Sequence, residues 1–355
     1  MLATALRVLA GKKARQHITQ NGLSPDDITV LVGASGGPKW FVLAPLDCYL
    51  GGEYFRDRKT PLHLLGSSAG AFRFSCLAQN DAPAVTRRFL EGYTQLTYPK
   101  NATTNQITEI SQQLLAHVFT ENSIEQILNH PTMRLNVIAA RAKHINSSER
   151  KALQMIGLGL TASANAVHRR LLGGFFERTI FHHPKDKADF LSVRDLPTQT
   201  VALNQSNLID AVMASGSIPM IMEGIKNIAG ARPGNYRDGG ITDYHFDLPF
   251  CHDGIVLYPH FSSKTIPGWF DKGLRWRKPN PAHYDNVIML VPSEQFIAKL
   301  PNRKIPDRKD FSTMDDHTRL KAWRMAIAES ERLSDEFGNL IANPAALLAA
   351  LEPLN

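Results

Sequence analysis

Cysteine is scarce. Three residues in 355, Cys48, Cys76 and Cys251, are too few and too far apart for a disulfide framework or a thiolate metal site. They read as reduced, mostly buried thiols, and a cytoplasmic location is the expectation that follows. Long apolar stretches are also missing. The longest uncharged run, ALQMIGLGLTASANAV at residues 152–167, is shorter than a membrane-spanning helix and stops at His168-Arg169-Arg170. It is expected as a buried or lid-like helix beside a pocket. The opening MLATALRVLAGKKARQH lacks the length and flanks of a signal peptide. Leu2, Leu6 and Leu9 would share one helix face, so residues 1–27 are expected as an N-terminal helical segment. Neither sign of charge dominates: 40 Lys+Arg against 33 Asp+Glu leave a net charge of +7. Such an excess favours anionic partners without choosing among them. Aromatic and basic residues are not interleaved as in single-strand binders, and nucleic acid is not an expected partner.

What is present has a clear rhythm. Short Val/Ile/Leu-rich runs at residues 28–32, 62–65, 135–139, 254–258 and 287–291 alternate with helical stretches. Continuous apolar strands between helices predict an α/β fold, a three-layer α/β/α sandwich around a mostly parallel central sheet. Residues 28–300 are expected to form its main domain, with 301–355 as a C-terminal helical segment packed on it. Within that segment Ser312 or Thr313 can cap a helix with Asp315 and Asp316 in its first turn, and Leu320, Trp323 and Ile327 form its packing stripe. The basic, proline-containing stretch 269–281 reads as an exposed loop.

Three segments carry possible chemistry. After the first apolar strand comes Gly33-Ala34-Ser35-Gly36-Gly37-Pro38-Lys39-Trp40. Gly33 and Lys39 have the spacing of a phosphate loop. However, Pro38 removes a backbone donor and Trp40 replaces the hydroxyl that would hold magnesium. Alternatively, Gly36 and Gly37 can aim N–H groups at a developing oxyanion, with Pro38 opening the helix where its missing donor costs nothing. The second segment, Gly66-Ser67-Ser68-Ala69-Gly70, follows a strand and precedes a helix. Its glycines serve close packing alone, or they serve Ser68 as a nucleophile on a sharp elbow. The third, Asp238-Gly239-Gly240, is either an ordinary Asp-Gly turn or a way to present Asp238 to a pocket. A serine needs a base, and His245, His252, His260 and His283 are candidates for a Ser-His-Asp arrangement. Asp238 is the carboxylate alternative, with Asp243 and Asp247 as its rivals.

In this order the three segments, with Ala214-Ser215-Gly216-Ser217-Ile218-Pro219 before the aspartate, resemble the patatin-like phospholipase family. The resemblance covers roughly residues 28 to 245. It implies a Ser68–Asp238 dyad, with Gly36, Gly37 and Lys39 around the oxyanion and no cofactor or metal. The expected activity is hydrolysis of lipid acyl esters, and the expected partner is the lipid or acyl-ester substrate. The sequence departs from the family pattern at Ser35 for a glycine, Lys39 for an arginine and Trp40 for a glycine. Lysine keeps the charge but not the planar fork, and Trp40 would narrow an acyl pocket. Trp269, Phe270 and Trp276 beside Arg275, Arg277 and Lys278 suit peripheral contact with an anionic membrane surface, and residues 152–167 would line or cover an acyl channel.

Overall fold

The computed structural model describes residues 4–354. Among the described residues eleven strands form one sheet: β1 Leu6–Ala10, β2 Ile28–Gly33, β3 Leu62–Ser67, β4 Met133–Ala142, β5 Phe176–His182, β6 Thr198–Ala202, β7 Ile225–Lys226, β8 Asn235–Asp238, β9 Ile255–Pro259, β10 Val287–Pro292 and β11 Leu351–Pro353. The main path is β11-β1-β10-β9-β2-β3-β4-β5-β6, with β8 pairing both β4 and β7. The central run β10-β9-β2-β3-β4 is parallel throughout. Successive residues of a strand face opposite sides of the sheet. Every residue of β9 and β10 is buried, so both faces there are covered. The α/β sandwich and its mostly parallel sheet follow from that continuous burial.

The chain start differs from the reading above. Leu6 and Leu9 lie in β1, between β10 and β11, and the helix of this region is Lys12–Asn21. Leu2 lies outside the described residues. Spacing of i, i+3 fits a helix face, yet LRVLA is also apolar enough to fill a strand buried in a sheet. Near the other end, the Asp316–Glu329 helix is capped by Asp315, whose carboxylate accepts from the Thr318 N–H at 2.9 Å. Ser312 and Thr313 belong to a separate short helix, Asp310–Thr313. The face turned inward carries Arg319, Trp323 and Ala326, while Leu320 and Ile327 are half-buried.

Candidate active site

β2 and β3 run parallel with Gly33 level with Gly66, so the loops leaving their C-terminal ends start side by side. Open α/β sheets bind ligands at those ends. Ser35 Oγ and Ser67 Oγ lie 3.0 Å apart across the gap. Ser68 then takes φ 53° and ψ −122°, a backbone state that a serine holds only when its surroundings enforce it. Its N–H donates to Ser215 Oγ at 2.8 Å, and the Ser215 hydroxyl donates to the Ile138 carbonyl at 2.6 Å. The helix Ala69–Leu77 leaves the elbow directly against β2. A Cβ on Gly70 would stand 1.9 Å from the Gly33 carbonyl oxygen, so only glycine allows that approach. Farther along, Arg73 Nε and Nη2 bond the two oxygens of Asp47 at 2.7 Å, with both side chains buried. A buried pair of this geometry fixes the helix, because removing either partner strands a charge.

Asp238 arrives on β8, which pairs antiparallel with β4 and sets Asp238 opposite Ala139. Its N–H donates to the Ser217 carbonyl at 2.9 Å. The small-residue segment 214–219 therefore holds both partners, Ser68 through Ser215 and Asp238 through Ser217. Ser68 Oγ donates to Asp238 Oδ2 at 2.7 Å, and Asp238 Oδ1 accepts from the Gly240 N–H at 2.7 Å. Ser68 is 6% exposed and Asp238 8%. Burial pushes the Asp238 carboxyl above its ordinary range, against the opposing pull of the Ser68 and Gly240 hydrogen bonds and of Arg308 and Lys272.

The rival bases are engaged elsewhere. Asp243 is gripped by Arg178 Nε and Nη2 at 2.7 and 2.8 Å. Asp247 meets His283 Nδ1 at 2.8 Å and accepts from the Asn280 N–H at 2.9 Å. His245 Nδ1 accepts from the Ile266 N–H at 3.1 Å, and burial, reinforced by His260, Lys39 and Lys272, drops its pKa well below the ordinary value. Burial likewise pushes His260 down to about 3. His252 is exposed and contacts Asp189 through its backbone N–H. Among the described residues no histidine hydrogen-bonds Ser68 or Asp238.

In the glycine loop, Gly36 is extended and Gly37 sits at φ 54°, where glycine is favoured. A 3-10 turn, Gly37–Leu43, follows, with Pro38 at its start. No carbonyl of the described residues accepts from the Gly36 or Gly37 N–H. Two chambers open on either side. The larger, about 830 Å³, is bordered by Gly36, Ser68 and Asp238 and by seven cationic side chains, Lys39, Lys264 and Lys272 among them; among the described residues its only carboxylates are Asp238 and Asp307. The smaller, about 330 Å³, is bordered by Gly37 and by apolar side chains including Phe72, Phe89, Leu96, Ile107 and Leu114. Three residues belong to both: Ser68, Ile218 and Arg308.

Lys39 faces the larger chamber, with its Nζ 3.4 Å from Asp307 Oδ2 and 5.4 Å from the centre of the Phe261 ring. Arg308 has no ion pair among the described residues, and a Cβ built on Gly37 would lie 3.4 Å from its Nη2. The sequence reading missed it. The one available signal was the basic cluster of Arg303, Lys304, Arg308 and Lys309, which follows no motif. Lys272 also emerges only from the structure. Its Nζ lies 3.9 Å over the Tyr244 ring, and although the residue as a whole is exposed, desolvation of the ammonium, then Lys39 and Arg308, push it down to about 8.

Two expectations are corrected. Trp40 does not border the apolar chamber; it stacks behind the wall on Phe89 at 4.9 Å, and Phe89 stacks on Phe72 at 5.6 Å. Residues 152–167 are not buried as a whole, only along one polar face, and none of them borders that chamber. They form most of the helix Lys151–Val167, whose large apolar side chains face outward except Leu158.

No family model matches the chain, and no curated protein does. Among solved structures, the crystal structure of VipD from Legionella pneumophila is similar at 12% identity and a TM-score of 0.36, covering 95% of this chain and 71% of that one. The likeness is remote, and the functional reading rests on the geometry of the site.

Proposed function

We propose that the protein is a serine acyl hydrolase of the patatin-like kind, acting on acyl esters whose leaving group carries an anionic, phosphate-bearing head. One observation carries the reading: the 2.7 Å Ser68–Asp238 contact lies where an apolar chamber meets a cationic one. An acyl chain fits the first and a phosphate head the second, which sets the ester carbonyl at Ser68 between them.

In the acylation step Asp238 Oδ2 takes the Ser68 proton as Oγ bonds to the carbonyl carbon. The Gly36 and Gly37 N–H groups receive the oxyanion. Arg308, without an ion pair among the described residues, adds positive charge to that expected of Lys39, whose ammonium lies 3.4 Å from Asp307. The carbon–oxygen bond to the head breaks, and the departing alcohol takes the proton from Asp238. Water then gives a proton to Asp238 and attacks the acyl group on Ser68. Collapse of that second intermediate frees the carboxylic acid, and the proton returns to Ser68. A carboxylate whose pKa is raised by burial is a better base for both steps than an ordinary aspartate. The phosphate-loop alternative gains no support, since Pro38 interrupts the row of donors and Trp40, packed on Phe89, offers no hydroxyl for magnesium.

The test is steady-state hydrolysis of a short-chain aryl ester and of a single-chain phosphate-bearing lipid ester. Turnover of both by the parent chain, lost in Ser68→Ala and in Asp238→Asn with the fold intact, is the expected result. Full activity in Asp238→Asn, or its loss in His245→Ala with the protein folded, would overturn the dyad.

A further inference from the structure

The helix Lys151–Val167 is built inside out. Its buried positions are Gln154, Gly157, Thr161 and Asn165, three or four residues apart and so on one face. That face is held chiefly by hydrogen bonds, with Leu158 beside it packing on a small apolar cluster that includes Leu172 and Phe176. Gln154 Oε1 accepts from the Met220 N–H at 2.5 Å, Thr161 Oγ1 accepts from Asn146 Nδ2 at 3.1 Å, and Asn165 Nδ2 donates to Asp271 Oδ1 at 2.7 Å. The opposite side shows Met155, Ile156, Leu160 and Val167 at 62%, 55%, 52% and 80% exposure, with Leu153 at the margin at 36%. Helices on globular proteins in water carry the reverse pattern. Of the eleven large apolar side chains exposed among the described residues, six fall between Leu153 and Leu171, so this is one patch and not scatter.

The surroundings say what covers it. Arg150 and Lys151 flank the patch at the helix start and Arg170 at its end, all exposed, and no Asp or Glu occurs from residue 150 to residue 176. Arg277 Nη2 donates to the Asn165 carbonyl at 2.6 Å, which brings exposed Trp276, with Arg275 and Lys278, to the same end. The helix also adjoins the site. Met220, bonded to Gln154, sits between Ile218, which borders both chambers, and Ile221, which borders the apolar one. Asp271, bonded to Asn165, lies between Trp269 and Lys272 of the cationic chamber. An apolar face with a cationic rim matches the boundary between acyl chains and anionic headgroups.

We propose that this helix, with Trp276, is an interfacial docking face that seats the protein on anionic lipid surfaces beside the two chambers. Binding of this kind does not require catalysis, so it is measured on the full-length Ser68→Ala chain. The assay is co-sedimentation with vesicles of phosphatidylcholine alone or mixed with phosphatidylglycerol. The expected result is binding to the mixed vesicles that weakens with added salt. Ile156→Asp/Leu160→Asp lowers the partition coefficient at least about tenfold, and Lys151→Ala/Arg170→Ala lowers it about threefold or more on the mixed vesicles only. Met325→Asp, at an equally exposed methionine on the Asp316–Glu329 helix, leaves it unchanged. Circular dichroism checks that each variant is folded. The proposal is overturned if the Ser68→Ala chain ignores both vesicles, or if it binds both equally. Undiminished binding by the double aspartate variant also overturns it. So does a self-associated chain that binds no vesicles and becomes monomeric in that variant, since a second copy would then be what covers the face.

Discussion

The two chambers that meet at Ser68 are made by opposite means. The apolar one is walled by packed helices: Phe72 from Ala69–Leu77, Phe89 and Tyr93 from Ala82–Thr94, Ile107 and Leu114 from Thr104–Leu115. Behind that wall Trp40 and Phe89 stack, so its shape is fixed by close packing, and a fixed apolar shape discriminates by length and bulk. The cationic chamber is lined largely by loop residues, including the exposed Lys264, Lys272, Arg308 and Lys309. Long, mobile, charged side chains discriminate by charge and tolerate varied shapes. One site thus divides its selectivity between a rigid half that measures the acyl chain and a flexible half that senses the head.

Changes at the junction have the largest expected effect, because both halves depend on it. Ser68→Ala and Asp238→Asn should each lower kcat by at least about 10⁴-fold for every substrate, measured with the aryl ester and the lipid ester alike. The same aspartate makes a stability prediction. Its carboxyl pKa is raised in the folded state, so the folded protein binds that proton more tightly than the unfolded chain does. The resulting stabilisation is complete below the ordinary aspartate pKa and is lost as pH rises through the raised one. At neutral pH the buried carboxylate is a liability, and Asp238→Asn should raise the melting temperature by about 2 °C.

A narrower change separates the halves. Ile107→Trp intrudes on the apolar chamber only. Each methylene denied burial costs about 0.8 kcal/mol, roughly fourfold, so esters three or more carbons too long for the shortened chamber should lose at least about 60-fold in kcat/KM, with a butyryl ester little affected. Lys272→Met acts on the other side. It should raise KM for phosphate-bearing esters by about tenfold and leave KM for neutral esters unchanged. The smallest effect is a pH dependence. Lys272 sheds its proton near pH 8, so KM for phosphate-bearing esters should climb a few-fold above that pH in the parent chain, and Lys272→Met should flatten the climb.

Much of the architecture was legible in the sequence because β2, β3, β4, β9 and β10 are apolar throughout. Strands buried by other means were not. β8 reads Asn-Tyr-Arg-Asp and is buried through pairing with β4 and the Arg237–Glu149 ion pair at 2.6 Å, which no hydropathy pattern records. β1 was misread because its leucine spacing also fits a helix. At the site, glycine-flanked Ser68 and Asp238 stood out since sharp turns leave a residue-type trace. The electrostatic partners left none. Arg308 and Lys272 reach the chambers through tertiary folding alone. The Lys151–Val167 helix was legible as a helix but not in its orientation: an uncharged run does not say which face turns inward, and only the surrounding chain decides that.

The decisive measurement is peptide-resolved mass spectrometry after exposure to a fluorophosphonate carrying an alkyl chain. A single adduct on Ser68, formed by the parent chain and strongly slowed in Asp238→Asn, is the predicted result. No adduct on Ser68 in folded protein, coupled with thermal stabilisation by ATP, would contradict the dyad and return Gly33–Lys39 to the binding of phosphate.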